Sequence, residues 1–102
     1  MMIVIAGSAR VRADVLDSAL RTASKMAESS RAEDGCIDYR FAIDIDDPST
    51  VRLFEQWESE AALQSHFATA HFAEFSHLLV EILDGPPSFT KYVVASTGPL
   101  SG

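Results

Sequence analysis

The spacing of apolar residues changes several times along the chain, and each change predicts an element. Met2 to Val11 is short, rich in β-branched residues and apolar on both alternating sets, which predicts a strand buried on two faces. Asp14 stands where a helix cap would be. Beyond it Val15, Leu16, Ala19, Leu20, Ala23, Met26 and Ala27 recur at helical spacing. That helix ends in Ser29-Ser30-Arg31, with Gly35 marking the turn beyond. From Cys36 the period becomes two. Ile37, Tyr39, Phe41, Ile43 and Ile45 form one side of a half-buried strand. Asp46 to Ser49 is a turn cluster, and alternation resumes with Val51, Leu53, Glu55 and Trp57. If the two strands form a hairpin centred near Pro48, the apolar sets share one face and Tyr39 lies close to Trp57.

Two capped helices are predicted next. Ser59 caps one with Ala61, Ala62, Leu63 and Phe67 on its apolar side. Thr69 caps another with Phe72, Phe75, Leu78, Leu79, Ile82 and Leu83 as core residues. Asp84-Gly85-Pro86-Pro87 stops it, Phe89 to Ser96 reads as a last strand, and residues 97–102 read as a flexible tail after a single domain over 1–96. The order β-α-β-β-α-α-β predicts an α+β, ferredoxin-like sandwich: one antiparallel sheet with helices on one face. The first and last strands are apolar on both sides, so the uncovered sheet face invites a second copy, and a homodimer joined through its sheets is expected.

Composition narrows the function. Eight Lys and Arg face 15 Asp and Glu, a formal charge of −7, which argues against nucleic-acid binding and against a polybasic membrane anchor. No apolar run reaches the length of a membrane span and no leader is evident at the start, so a cytoplasmic protein is expected. A single cysteine, Cys36, excludes an internal disulfide and a Cys-based zinc site; with no basic neighbour it reads as a small buried hydrophobe. No phosphate-cradling glycine loop, G-x-S-x-G elbow or dinucleotide fingerprint is present, so any chemistry is expected to work without a nucleotide cofactor.

The chemistry-bearing residues cluster in the second half. His66, His71 and His77 are five and six apart, not the three or four that put two ligands on one helical face, and Glu74-x-x-His77 is half of a di-iron motif whose other half is missing. No metal site is expected. His66 and His71, interleaved with Phe67, Phe72 and Phe75, fit either a capping and hydrogen-bonding role at the break between two helices or a functional one. His77 reads as surface. Trp57 is the only tryptophan, and core packing competes with a site role for it. Glu55 lies on the apolar face between Leu53 and Trp57, where a carboxylate must be paired, protonated or functional; Arg10, Arg40 or a residue of a second subunit would pair it.

Arg31-Ala-Glu-Asp-Gly-Cys-Ile-Asp-Tyr39 and Phe54-Glu-Gln-Trp-Glu-Ser-Glu-Ala-Ala-Leu-Gln-Ser-His-Phe-Ala-Thr-Ala-His-Phe72 resemble the antibiotic biosynthesis monooxygenase domain family, especially its small quinol-monooxygenase-like members. The resemblance runs from Met2 to about Val94. It implies a dimeric α+β barrel that oxidises a quinol, anthrone or related electron-rich aromatic with molecular oxygen, without metal or flavin. Carried over by position, it implies Trp57 as pocket wall and donor, and His66 or His71 as base or oxyanion partner. Phe41, Phe54, Phe67, Phe72 and Phe75 are the implied ring-packing residues, with Tyr39 and Glu55 as further substrate-binding candidates. Where this family often has proline before the second histidine, this chain has Ala70. Haem-degrading relatives use an Asn, a Trp and a His, which would fall near Gly7 or Ser8, at His66 and at Ser76, so haem oxygenation is not expected. The same scaffold also carries isomerases and non-catalytic small-ligand binding proteins, the alternative reading here.

Overall fold

The computed structural model describes residues 1–101. Four strands, β1 (Met2–Arg10), β2 (Cys36–Ile43), β3 (Thr50–Trp57) and β4 (Ser88–Val94), form one sheet in the order β2-β3-β1-β4. Every neighbouring pair is antiparallel. Three α-helices, α1 (Leu16–Arg31), α2 (Glu60–Phe67) and α3 (Ala70–Ile82), cover one face, and a 3-10 turn at Ala13–Val15 leads into α1. This is the α+β ferredoxin-like sandwich expected from the apolar periods. The molecule is correspondingly thin, with extents of 42 × 34 × 21 Å. Among the described residues no helix is long and apolar enough to cross a membrane.

The odd-numbered positions of β1 and β3 face the helices. Ile3, Val51, Leu53, Glu55 and Trp57 are buried there with Tyr39 of β2. Ala19, Ala23, Met26 and Ala27 of α1 lie over them, small residues that let the helix sit low on the sheet. Cross-strand pairing sets Tyr39 opposite Glu55, and its ring meets that of Trp57 edge-on at 6.4 Å. The end of α3 is tied to the end of β1, Arg12 N–H donating to the Ile82 carbonyl at 2.9 Å and Asp84 N–H to that of Arg10 at 2.8 Å.

Several local expectations need correction. Asp14 caps nothing: its carboxylate is taken by Arg12 at 2.7 Å, and the chain enters α1 through the 3-10 turn without a side-chain cap. β2 ends at Ile43, and Ile45 is fully exposed. A bulge between Cys36 and Asp38 adds one residue to β2, which leaves Ile37 half exposed instead of among the core positions. On α2 Leu63 is buried as the apolar pattern predicts, but its companion in the core is His66, while Phe67 is exposed. Leu78 of α3 is also exposed, and β4 stops at Val94 rather than Ser96. Residues 95–101 carry neither helix nor strand; Gly102, the end of the expected tail, lies outside the described residues.

Candidate active site

Glu55 is the unusual residue of the helix-facing sheet surface. It is 6% exposed and has no cationic partner among the described residues. Neither Arg10 nor Arg40 pairs with it, because both stand at even-numbered strand positions on the opposite face of the sheet, where Asp47 and Asp38 engage them. Its partner is two residues along the same strand face: Trp57 Nε1–H donates to Glu55 Oε1 at 2.9 Å. Burial pushes the Glu55 carboxyl up to about 7, against a modest lowering by the Trp57 hydrogen bond. Trp57 is fully buried and its only donor is spent on this carboxylate, so it orients Glu55 and is not free to bind a substrate.

Two cavities meet at Glu55. One, of about 100 Å³, lies between the sheet and the helices, with Tyr39, Phe41, Phe75, Leu79 and Phe89 among its walls. It is apolar apart from the Glu55 carboxyl and the Tyr39 phenol, whose ionisation burial opposes strongly. The other, of about 270 Å³, is a groove between α2 and β4, bounded by Ile5, Leu63, Phe67, Phe89 and Lys91. Phe89, Leu63 and Ile5 carried no sequence signal as site residues, because they become neighbours of Glu55 only in the folded chain, and Lys91 is one of five basic residues that an isomerase reading would set at the pocket. Five of the expected site residues, Tyr39, Phe41, Glu55, Phe67 and Phe75, line one cavity or the other. Phe54 does not: it is on the opposite, open face of the sheet, since a strand reverses side at every residue.

The histidines form a second constellation. α2 ends and α3 begins between them, and this break turns a five-residue spacing into proximity: the His66 and His71 rings lie 6.0 Å apart. Both meet one oxygen of Glu33, His66 Nδ1 at 2.7 Å and His71 Nε2 at 2.6 Å. Glu33 sits in the loop between α1 and β2 and carried no sequence signal of a role. Its approach depends on Gly35, where φ is +84° and a Cβ would lie 2.5 Å from the Cβ of Ala62. His66 is packed among Trp57, Tyr39 and Phe72, with ring centroids at 4.7, 5.6 and 5.1 Å. Burial lowers its pKa and keeps the ring neutral. With Nδ1–H on Glu33, its Nε2 is a bare lone pair with no partner. Phe72 packs on both His66 and Phe67 and completes this aromatic cluster.

Glu33, His66 and His71 place three ligand atoms within 4.8 Å of one another and could hold a metal ion, which the spacing argument along one helix did not foresee. Against this use stands His66: a metal on Nδ1 would leave Nε2–H buried without an acceptor, whereas metal-bound histidines ordinarily donate their second N–H. Through these two hydrogen bonds the same three residues join the α1–β2 loop to the α2–α3 break. Neither histidine lines the cavities at Glu55. Cys36 is partly buried beside this region and its thiol is pushed up to about 11, first by burial and then by Glu33, so it is an inert packing residue.

Residues 2–78 match the family model of the antibiotic biosynthesis monooxygenases. The chain belongs to that family. Protein sll1783 of Synechocystis sp. is 35% identical over 98 residues, covering 96% of this chain and 67% of that protein. YcnE of Bacillus subtilis is 32% identical over 85 residues, covering 83% of this chain and 90% of that one. The structure of Rv0793 from Mycobacterium tuberculosis superposes with a TM-score of 0.86 at 27% identity, covering 97% of this chain and 100% of that one. Membership in the antibiotic biosynthesis monooxygenase family agrees with the ferredoxin-like sandwich described above.

Proposed function

We propose that this protein is a cofactor-independent monooxygenase of electron-rich hydroxy-aromatics, quinols or anthrones, with Glu55 as the base. The observation that carries the reading is a lone carboxyl, held by Trp57 and titrating near neutrality, at the polar end of an otherwise apolar cavity. A base is most useful when its pKa lies close to working pH, so that it is both ionised and able to hold the proton. The cavity alone, about 100 Å³, is smaller than the roughly 150 Å³ space known to take up one benzene ring, and it is the groove of about 270 Å³ joining it at Glu55 that adds room for a larger ring compound. Glu55 removes a proton from the bound ring compound, and the apolar walls keep water from quenching the carbanion. That anion passes electrons to oxygen and the two combine as a peroxide. Glu55 returns its proton to the peroxide, then takes the second methylene proton as the O–O bond breaks, and that proton joins the departing hydroxide to leave as water. For an anthrone, the ring methylene and one molecule of oxygen become a ketone carbonyl and one molecule of water. One oxygen atom enters the carbonyl, the other leaves with both methylene hydrogens, and the substrate itself is the reductant.

His66 and His71, the first candidates for the base, hold the clamp with Glu33 in this reading and act on the site through Trp57, against which His66 packs. An isomerase acting on a phosphorylated substrate would need several cations at the cavity, and Lys91 is the one cation in either lining. The protein works as a homodimer in which the open sheet face, with Phe54 and Tyr92 exposed, is covered by a second copy.

The test is oxygen uptake by chelator-treated protein on hydroquinones and anthrones, beside Glu55→Gln. Uptake above autoxidation that survives chelation and falls by about 10²–10⁴ in the variant is expected. Turnover abolished by chelation would move the chemistry to Glu33, His66 and His71. No uptake on any compound would favour the non-catalytic binding reading.

A further inference from the structure

Ile5 of β1 stands between two chemically different neighbours. It pairs with Glu55 of β3 on one side and with Lys91 of β4 on the other. Cross-strand partners point to the same side of a sheet, so Glu55, Ile5 and Lys91 form one row under the helices. The ends of the row are two strand spacings apart, roughly 10 Å between backbones. The groove runs along this row, bounded by Phe67 and Leu63 of α2 and by Phe89 of β4, and it reaches the smaller cavity at Glu55.

Lys91 Nζ is held by Glu60 Oε1 at 2.9 Å, and both side chains are about half exposed. Exposed pairs of this kind contribute only about 0–1 kcal/mol, so a better-placed anion can take the ammonium from Glu60. Of the six arginines, Arg10, Arg12, Arg40 and Arg52 are each paired with an aspartate, Arg31 donates to the Tyr39 carbonyl, and neither it nor Arg21 lines the groove. In a chain of net charge −7, a single lysine at the mouth of an apolar space makes that mouth the place where a small organic anion is accepted.

We infer that Lys91 binds an anionic group of the substrate while Glu55 faces its ring hydroxyl or acidic C–H, so that the substrate class is an aromatic hydroxy acid. This deepens the oxygenase reading and rests on it. The row length suits a carboxylate set across one ring, or across two fused rings, from the group that Glu55 meets.

Binding is measured by calorimetry under nitrogen, so that no turnover is needed, with 6-hydroxy-2-naphthoate and its neutral analogue 2-naphthol as probes. The wild type is expected to prefer the acid about tenfold; Lys91→Gln loses that factor for the acid alone, and Lys91→Arg keeps most of it. Far-UV circular dichroism establishes that each variant is folded. Equal weakening of both probes in Lys91→Gln, unchanged binding of the acid, or a wild type that shows no binding of the acid or no preference for it overturns the assignment. Oxygen uptake is read separately. A protein that discriminates in this way but takes up no oxygen loses the oxygenase reading and keeps the anion site; uptake without discrimination does the reverse.

Discussion

At the scale of single residues, the pair Glu55 and Trp57 makes the sharpest demands. If ionised Glu55 is the base, kcat/KM rises with pH through about 7 in wild type. Removing the Trp57 N–H removes the one hydrogen bond that favours the carboxylate, so Trp57→Phe moves this limb to higher pH; a pH–rate profile of the two proteins checks it. The same carboxyl links stability to pH. Folded Glu55 keeps its proton up to about 7, whereas an unburied glutamate releases it near 4.5. The folded form therefore binds more protons across that window, and this contribution to stability is present below about 4.5 and lost as pH rises through 7. The difference corresponds to about 3 kcal/mol. Glu55→Gln is thus expected to gain about that much on wild type between pH 4.5 and about pH 8, read from urea unfolding at both values. Histidine titration is common to both proteins and cancels.

At the scale of elements, Glu33 decides how the α1–β2 loop meets the α2–α3 break. Glu33→Ala takes both hydrogen bonds away and leaves the fully buried His66 without any partner. A loss of about 2–3 kcal/mol is expected in urea unfolding, against about 1 kcal/mol for His71→Ala, whose side chain is partly exposed. The element boundaries themselves were largely legible: the caps Ser59 and Thr69 accept hydrogen bonds from Ala62 N–H and Phe72 N–H, as their residue types and places in the pattern predict. The clamp was not legible. A spacing of five reads as two faces of a helix only if the helix is continuous, and the carboxylate that joins the histidines comes from more than thirty residues away.

At the scale of the whole molecule, the thin sandwich leaves one face of its sheet without a layer. Met2, Val4, Ala6, Phe54, Tyr92 and Val94 fall on that face by register. Sedimentation velocity at micromolar concentration is expected to give a dimer, and Phe54→Asp, which sets a charge in the middle of the patch, a monomer. A monomeric wild type would remove the dimer from the proposal. Because Phe54 is on this face and not in the cavity of its own chain, its substitution tests assembly rather than ring binding.

The sequence by itself determined which segments are strands and helices, their antiparallel order, the family, and the oddity of a carboxylate at position 55. The elements and the oddity of Glu55 follow from local periods, capping residues and turn chemistry, which act over a few residues, and the family from the resemblance of two quoted segments. Tertiary structure alone decided that Glu55 pairs with Trp57 and not with an arginine, because the strand register sets Arg10 and Arg40 on the opposite face of the sheet. It also decided that His66 and not Phe67 is buried, since Glu33 satisfies one ring nitrogen inside the core. And it brought Lys91 into one row with Glu55, because pairing both β3 and β4 to β1 joins residues that lie 36 positions apart in the chain.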